Sequence, residues 1–287
     1  MNIVILGSTR RIIPAPTGVV ATPGNTQNVI TWNAVTGAVA YDIYWKTTAG
    51  VTKANGTKIA GVTSPYTHTG RVNGTTYYYV VVARTNFSES VISSEVNATP
   101  VAPLSLVVQP DTADILLMKS DPDTSFHNLT YIAAARPSNF DLYHSLLKFN
   151  FSALTAGANI SSAVLGLNYY ADNGASPAGE QLDVRRITQT AWTTGGTWNK
   201  YDGTHAWTTL GGDYTDTDGG SVLMPASFGV VNIDITNLIK YCQANTAKIA
   251  NLLIKWHDET SVASWISSKF DGLRGTITPI LTIIYTL

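Results

Sequence analysis

The sequence has a single cysteine, Cys242, among 287 residues, and few charged side chains. One cysteine excludes an intrachain disulfide, so covalent cross-links do not hold this chain together. Charged residues make up 13% of the chain and the formal net charge is −1. There is no basic excess that would bind nucleic acid or an anionic membrane surface, and we expect neither as a partner. Cys242 lies in an apolar helical pattern, which predicts a small core residue and not a reactive thiol.

The sequence also lacks a long apolar run and a recognisable export signal. No stretch approaches the ~20 apolar residues of a membrane span, so no membrane insertion is expected. The run Ile3–Leu6 is too short for the core of a signal peptide, and Arg10 and Arg11 follow it instead of preceding it. Residues 1–13 are interpreted either as a frayed end or as an anchoring strand that pairs with another chain.

Glycine and aromatic residues are abundant in the sequence. It contains 23 Gly, 14 Tyr and 7 Trp, and its aromatic fraction is 10%. Aromatic and β-branched residues favour strands, and glycines favour the turns between them. The composition therefore predicts an all-β fold, and the length favours two domains.

Short strands separated by turn residues fill the segment 14–100. Within its third predicted strand, Tyr41, Ile43 and Trp45 point to one face, and Asp42 and Tyr44 point to the other. This alternation, repeated over several short strands, predicts a β-sandwich.

The same segment resembles a fibronectin type III domain. The resemblance rests on Trp32, on Tyr41–Tyr44, on Tyr77–Ala83 and on the exit at Thr99-Pro100. It implies a two-sheet sandwich over residues 14–100, with Tyr77 as the corner tyrosine, acting as a spacer or display unit. Two prolines in residues 99–103 predict a linker after it.

Residues 104–287 resemble the DNRLRE domain family, which is similar to carbohydrate-binding-module jelly rolls. The matching pieces are Leu146–Phe151, Ile160–Leu165, Ala191–Trp192 with Thr197–Asn199, Val231–Thr236, and Ser267–Ser268 before Pro279–Leu281. The resemblance implies a larger jelly-roll-like β-sandwich with one short helix. Phe149-Asn150 stands where the family has Phe-Asp, so the family's ligand contacts are not carried over.

The predicted helix begins near Thr236, a residue type that often caps helices. Leu238, Ile239, Cys242 and Ala247 follow at helical spacing.

The segment 190–220 concentrates aromatic side chains among glycines and threonines. Aromatic rings in loops can stack on sugar rings, so this segment is a candidate glycan site or a protein-partner site. The family pattern places Trp192 and Trp198 in the core. The candidates for a surface role are Tyr201, His205, Trp207 and Tyr214.

Three carboxylates in this segment could hold calcium. Asp213, Asp216 and Asp218 precede Gly219 and Gly220, and Ca²⁺ prefers oxygen ligands presented by a tight turn. The alternative is a turn rich in Asp with no metal. No other cofactor is expected.

The sequence contains no pattern typical of a catalytic site. None of the five histidines has zinc-like spacing to another ligand, and no nucleophile elbow or phosphate-binding glycine loop occurs. We therefore expect a protein that is not an enzyme.

Two hypotheses about function follow. Extracellular-type modules without a visible export signal favour a structural or display protein of a bacteriophage virion, such as a capsid decoration, fibre or tail protein. It would be assembled in the host cytoplasm in many copies or as a homo-oligomer, contact other virion proteins through residues 1–13, and adhere weakly to host surfaces or glycans. The alternative is a pair of binding modules from a secreted polysaccharide-degrading enzyme or adhesin.

Overall fold

The chain forms two compact units, Met1–Pro103 and Leu104–Leu287. A computed structural model describes residues 13–111, 114–136, 141–260 and 265–287. The segment 1–13, predicted as a lead or anchoring strand, lies outside the described residues apart from Ile13, which is buried. In the described part of the chain, no helix has the length and apolar character needed to cross a membrane.

The first unit is a sandwich of a three-stranded and a four-stranded antiparallel sheet. Its strands are β1 (Val20–Gly24), β2 (Gln27–Thr31), β3 (Ala40–Lys46), β4 (Thr57–Val62), β5 (Tyr66–Thr69), β6 (Tyr77–Arg84) and β7 (Val96–Ala98). The strand orders are β1-β2-β5 and β4-β3-β6-β7.

Side chains from both sheets form the core of this unit. Ile30 of β2 and Ile43 of β3 are completely buried, and Tyr41 and Trp45 pack against the same cluster, as the alternation predicted. The hydroxyl of Tyr77 accepts a hydrogen bond from the backbone N–H of Val72 at 3.0 Å, so the predicted corner tyrosine is confirmed.

The described residues of the second unit form eleven strands and one helix. They are β8 (Leu104–Val108), β9 (Asp114–Met118), β10 (Tyr131–Arg136), β11 (Tyr143–Asn150), β12 (Asn159–Gly174), β13 (Gln181–Ile187), β14 (Tyr214–Leu223), β15 (Gly229–Asp234), α1 (Thr236–Asn245), β16 (Ile249–Trp256), β17 (Ile266–Asp271) and β18 (Ile280–Thr286). The predicted all-β fold class is thus confirmed for the chain.

The strands of this unit form one folded sheet, whose inner face encloses a large core. The order is β14-β13-β16-β11-β10-β17-β12-β18-β8, with β9 beside β11 and β15 beside β12. Alternate side chains of β11, β13 and β16 meet those of β12, β15 and β18, so Phe149, Leu252 and Leu165 share one cluster of buried residues. The architecture is therefore a sandwich type, in which each layer has an inner and an outer face.

Helix α1 covers one part of this core. Leu238, Ile239 and Cys242 are buried on one side of the helix, as the spacing predicted. Ala247 lies beyond its end, with a positive φ of 51°.

The predicted helix cap is wrong. The N-cap position is Ile235, and no side chain caps the first turn. Thr236 Oγ1 instead accepts from the backbone N–H of Ala163 at 2.9 Å and donates to Asp234 Oδ1 at 2.6 Å. Its hydroxyl ties the start of the helix to β12, which leaves it no role as a cap.

Candidate functional site

The outer face of the β9-β11-β16-β13 layer is covered by the chain between β13 and β14, residues 188–213, here named the aromatic loop. Trp192, Trp198 and Trp207 of this loop form a second core with outward side chains of the sheet, among them Leu146 and Leu253. Trp192 Nε1 donates to Asn251 Oδ1 of β16 at 2.9 Å. The core positions predicted for Trp192 and Trp198 agree with the structure.

Trp207 was predicted to lie at the surface, and the structure corrects this prediction. Only 4% of Trp207 is exposed, and its indole N–H donates to the carbonyl of Thr197 at 2.9 Å. The loop folds back on itself here, since Lys200 and Ala206 form a β-bridge and Trp207 N donates to Asn199 O. This fold turns the ring toward the sheet, where it cannot stack on a ligand.

Tyr201 and His205 form a stacked pair at the loop tip. Their ring centroids are 5.7 Å apart with an interplanar angle of 16°, and Tyr201 also contacts Trp207 edge-on. Asp202 accepts from the backbone N–H and the Nδ1 of His205, both at 2.7 Å. These hydrogen bonds lower the pKa of Asp202 to about 2, so the tip holds a charged, ordered turn.

Tyr214 lies at the start of β14 beside a surface groove of 380 Å³. The groove is lined by Thr188, Gln189, Thr208, Thr209, Asp213 and Tyr214. The Nζ of Lys255 lies 5.7 Å from the centroid of the Tyr214 ring. Burial, followed by the nearby charge of Glu259, raises the pKa of Tyr214, so its phenol stays protonated and can donate a hydrogen bond.

The three candidate calcium ligands do not converge. Asp213 accepts two backbone N–H groups of the aromatic loop, Asp216 pairs with Arg185 at 2.9 Å, and Asp218 pairs with Arg186 at 2.8 Å. Within the described residues, no group of three His, Cys, Asp or Glu side chains could hold a metal ion. These carboxylates therefore serve as partners of backbone amides and arginines.

Sequence reasoning missed a polar cluster beside the aromatic loop, formed by His144, Asp183, Arg185, Lys255, His257 and Glu259. His144 Nε2 lies 2.6 Å from Glu259 Oε1, and Lys255 Nζ lies 3.3 Å from Glu259 Oε2. Asp183 stands opposite Lys255 in the sheet and pairs with Arg185 at 2.6 Å and with His257 at 2.9 Å. Outward alternation on β13 is a sequence signal for Asp183 and Arg185, but the partners come from distant strands.

The fold and the loop define a two-unit, all-β protein whose larger sandwich carries an aromatic loop on one outer face. A family model described as the disaggregatase-related repeat domain matches residues 114–270, more than half of the chain. The chain belongs to this family. The sequence resemblance named the DNRLRE family for this segment, whereas the model that matches is the disaggregatase-related one.

Similar solved structures include a fibronectin type III-like protein from Clostridium thermocellum, which is 36% identical over 31% of this chain and 95% of its own, with a TM-score of 0.27. A chitinase from Bacillus thuringiensis is 12% identical, covering 77% of this chain and 26% of its own (TM-score 0.26). An α-L-rhamnosidase from Dictyoglumus thermophilum is 10% identical, covering 94% and 27% (TM-score 0.30). The chain thus spans about a quarter of each enzyme. These scores are low, so the fold class rests on the sheets and cores described above. A comparison with curated proteins found no match.

Proposed function

We propose that the second unit is a non-catalytic carbohydrate-binding module and that the groove at Tyr214 is its sugar site. The observation that carries the proposal is the composition of the groove wall, which combines Tyr214 with three threonines and a glutamine. The flat ring packs on the C–H face of a sugar, while the hydroxyls and the amide bind sugar hydroxyl groups.

The groove is held in shape before any ligand arrives. Asp213 accepts hydrogen bonds from the backbone N–H groups of Thr208 and Thr209 at 3.0 and 2.5 Å, which fixes one wall. Thr188 N donates to the carbonyl of Asp213 at 2.8 Å, which joins the other wall to it. A preformed site loses less conformational entropy when a ligand binds.

The carboxylate content of the groove supports binding without catalysis. A glycosidase places two carboxyl groups on either side of the scissile bond. Asp213 is the one carboxylate among the six lining residues, and both of its oxygens already accept backbone hydrogen bonds.

A glycan array followed by titration calorimetry on the full chain tests the proposal. Tyr214→Ala is expected to weaken binding roughly tenfold or more, whereas Tyr214→Phe keeps the ring and most of the affinity. Tyr241→Ala removes a tyrosine on α1 outside the groove and serves as the matched control. Unchanged affinity in Tyr214→Ala contradicts the site, and release of reducing ends from the bound polysaccharide contradicts the non-catalytic role.

For the first unit we propose a spacer or display role, and for the whole chain a location outside the cell. The expected virion location, with contacts to virion proteins through residues 1–13, stays a prediction. Mass spectrometry of purified particles and of the secreted fraction separates the two settings, because each predicts enrichment in a different fraction.

A further inference from the structure

A trench crosses the outer face of the opposite layer, over strands β15, β12 and β18. Gly166 lies at its centre, opposite Asn232 of β15 and Ile280 of β18. Because glycine has no side chain, the β12 backbone forms the floor and the neighbouring side chains form the walls. The trench encloses 230 Å³, and its lining includes Asn168, Val230 and Thr282.

Polar groups in the trench are either held in place or unpaired. Asn168 Nδ2 donates to Asp271 Oδ2 at 2.7 Å, and Asp271 is itself held by the backbone N–H groups of Thr276 and Ile277 at 3.1 and 3.2 Å. This chain of bonds orients the Asn168 amide and leaves its oxygen free to accept. The exposed amide of Asn232 has no hydrogen-bond partner within the described segments.

The trench continues into a second cavity of 470 Å³, which shares Asn168 and Ile277 with it. This cavity adds the ring of Tyr170, which is 38% exposed, and the side chains of Thr130 and Thr276. It also adds Asp271 and Arg274, one charge of each sign, and both already have partners within the chain. The two cavities adjoin at the residues they share, and together they form one groove whose lining includes an aromatic ring.

The lining chemistry selects the class of ligand. None of the residues that line the trench over Gly166 is charged, and the exposed aliphatic side chains of Val230 and Ile277 lie among amides and hydroxyls. A sugar chain presents the same mixture of C–H surface and hydroxyl groups. An added peptide strand does not fit, because β12 is already paired on both sides at Gly166 and offers no free edge.

We propose that this groove is a second binding site, for a neutral, elongated polysaccharide chain. This proposal rests on the proposed function only for the class of ligand, since the residues of the trench are separate from those of the groove at Tyr214. Two sites on one module would raise the apparent affinity for a long polymer through effective concentration.

The test uses the full chain and a variant that fills the trench, Gly166→Val. A Cβ atom at this position would approach no atom closer than 3.4 Å, and a β-branched residue suits a strand, so the variant is expected to fold. Native gels containing hydroxyethylcellulose, galactomannan or soluble starch measure binding as retardation. We expect retardation of the wild type in at least one neutral gel, roughly fivefold weaker binding for Gly166→Val and Asn232→Ala, and a matching thermal unfolding curve.

Tyr214→Ala in the same gels separates this proposal from the proposed function. If Tyr214→Ala alone weakens binding, the trench proposal is overturned and the groove at Tyr214 stands. If Gly166→Val weakens binding and Tyr214→Ala does not, the trench is supported and the Tyr214 site is not. Equal migration of the wild type and Gly166→Val in every neutral gel, or tighter binding to polygalacturonate than to neutral polymers, overturns the trench proposal.

Discussion

The Nε2 atom of His144 lies 2.6 Å from Oε1 of Glu259, a residue 115 positions further along the chain. The other ring nitrogen, Nδ1, lies 2.7 Å from the carbonyl oxygen of Gly211 in the aromatic loop. Each ring nitrogen therefore lies within hydrogen-bond distance of an oxygen atom from a different part of the chain. The buried histidine thereby joins the loop, β11 and the segment after β16.

Replacement of His144 is expected to destabilise the second unit. In His144→Leu, Glu259 loses a hydrogen bond in a largely buried position, and the carbonyl of Gly211 loses its partner. Such losses cost about 1.5–3 kcal/mol in the free energy of unfolding, measured by urea denaturation of the full chain.

His257→Ala is the matched control for this substitution. His257 also pairs with a carboxylate, but its side chain is 57% exposed and Asp183 keeps Arg185 as a partner. Exposed pairs contribute about 0–1 kcal/mol, so the two variants should differ clearly. Equal stabilities for His144→Leu and His257→Ala would show that the buried contact stabilises the unit no more than the exposed one.

The pairing of His144 with Glu259 is one of the features that could not be predicted from the sequence. Alternation predicted which side chains of β3 enter the first core, and helical spacing predicted the buried side of α1, because both patterns are local. Trp207 was misplaced because the direction of its ring depends on how residues 188–213 fold back on the sheet. The trench at Gly166 needed the pairing of β12 with β15 and β18, which no local pattern specifies.

The first unit is expected to lose stability as the pH falls from about 6.5 to about 4. Burial, together with the charge of Arg71, lowers the pKa of His68 to about 4, against 6.5 for an unperturbed histidine. The unfolded chain therefore takes up the proton at a higher pH than the folded chain. Between pH 7 and pH 5 this linkage costs about 2 kcal/mol, and the loss levels off once the pH is well below 4 and the folded chain is also protonated.

Hydrogen bonding around His68 agrees with a neutral ring. Tyr79 OH accepts from Asn28 Nδ2 at 2.9 Å, which leaves its own proton available to a neutral His68 at Nδ1, 3.1 Å away. An NMR titration of the His68 ring protons, assigned by comparison with His68→Gln, measures the folded pKa. A midpoint near 6.5, or the same pH dependence of unfolding in His68→Gln, would refute the prediction.

Cys242 is expected to be unreactive in the folded chain. Only 1% of the residue is exposed, and burial raises the pKa of its thiol, so little thiolate forms and reagents cannot reach it. Ellman's reagent should detect no thiol in the native protein and one thiol per chain in denaturant. Lys240→Cys, at an exposed position of the same helix, supplies a reactive reference, and equal native rates at positions 240 and 242 would contradict the buried assignment.

Two buried serines of the second unit are expected to respond oppositely to replacement by alanine. Ser145 Oγ donates to the carbonyl of Ala133 at 2.7 Å and accepts from its N–H at 2.9 Å, which joins β11 to β10 where the backbone ladder stops. Ser268 is equally buried, but its hydroxyl has no hydrogen-bond partner among the described residues. Ser145→Ala leaves two buried backbone groups unpaired and should cost about 3 kcal/mol.

Ser268→Ala removes a hydroxyl that gains nothing in the folded state, so it should be neutral or stabilise the unit by about 1 kcal/mol. Both variants remove the same single oxygen from a fully buried side chain, so the difference between them isolates the hydrogen bonds. Urea unfolding of the full chain, monitored at the transition of the second unit, measures that difference in the free energy of unfolding. If Ser268→Ala lowers the free energy of unfolding as much as Ser145→Ala does, Ser268 must have a partner of equal strength. The comparison would then no longer support a special role for Ser145 at the junction of β10 and β11.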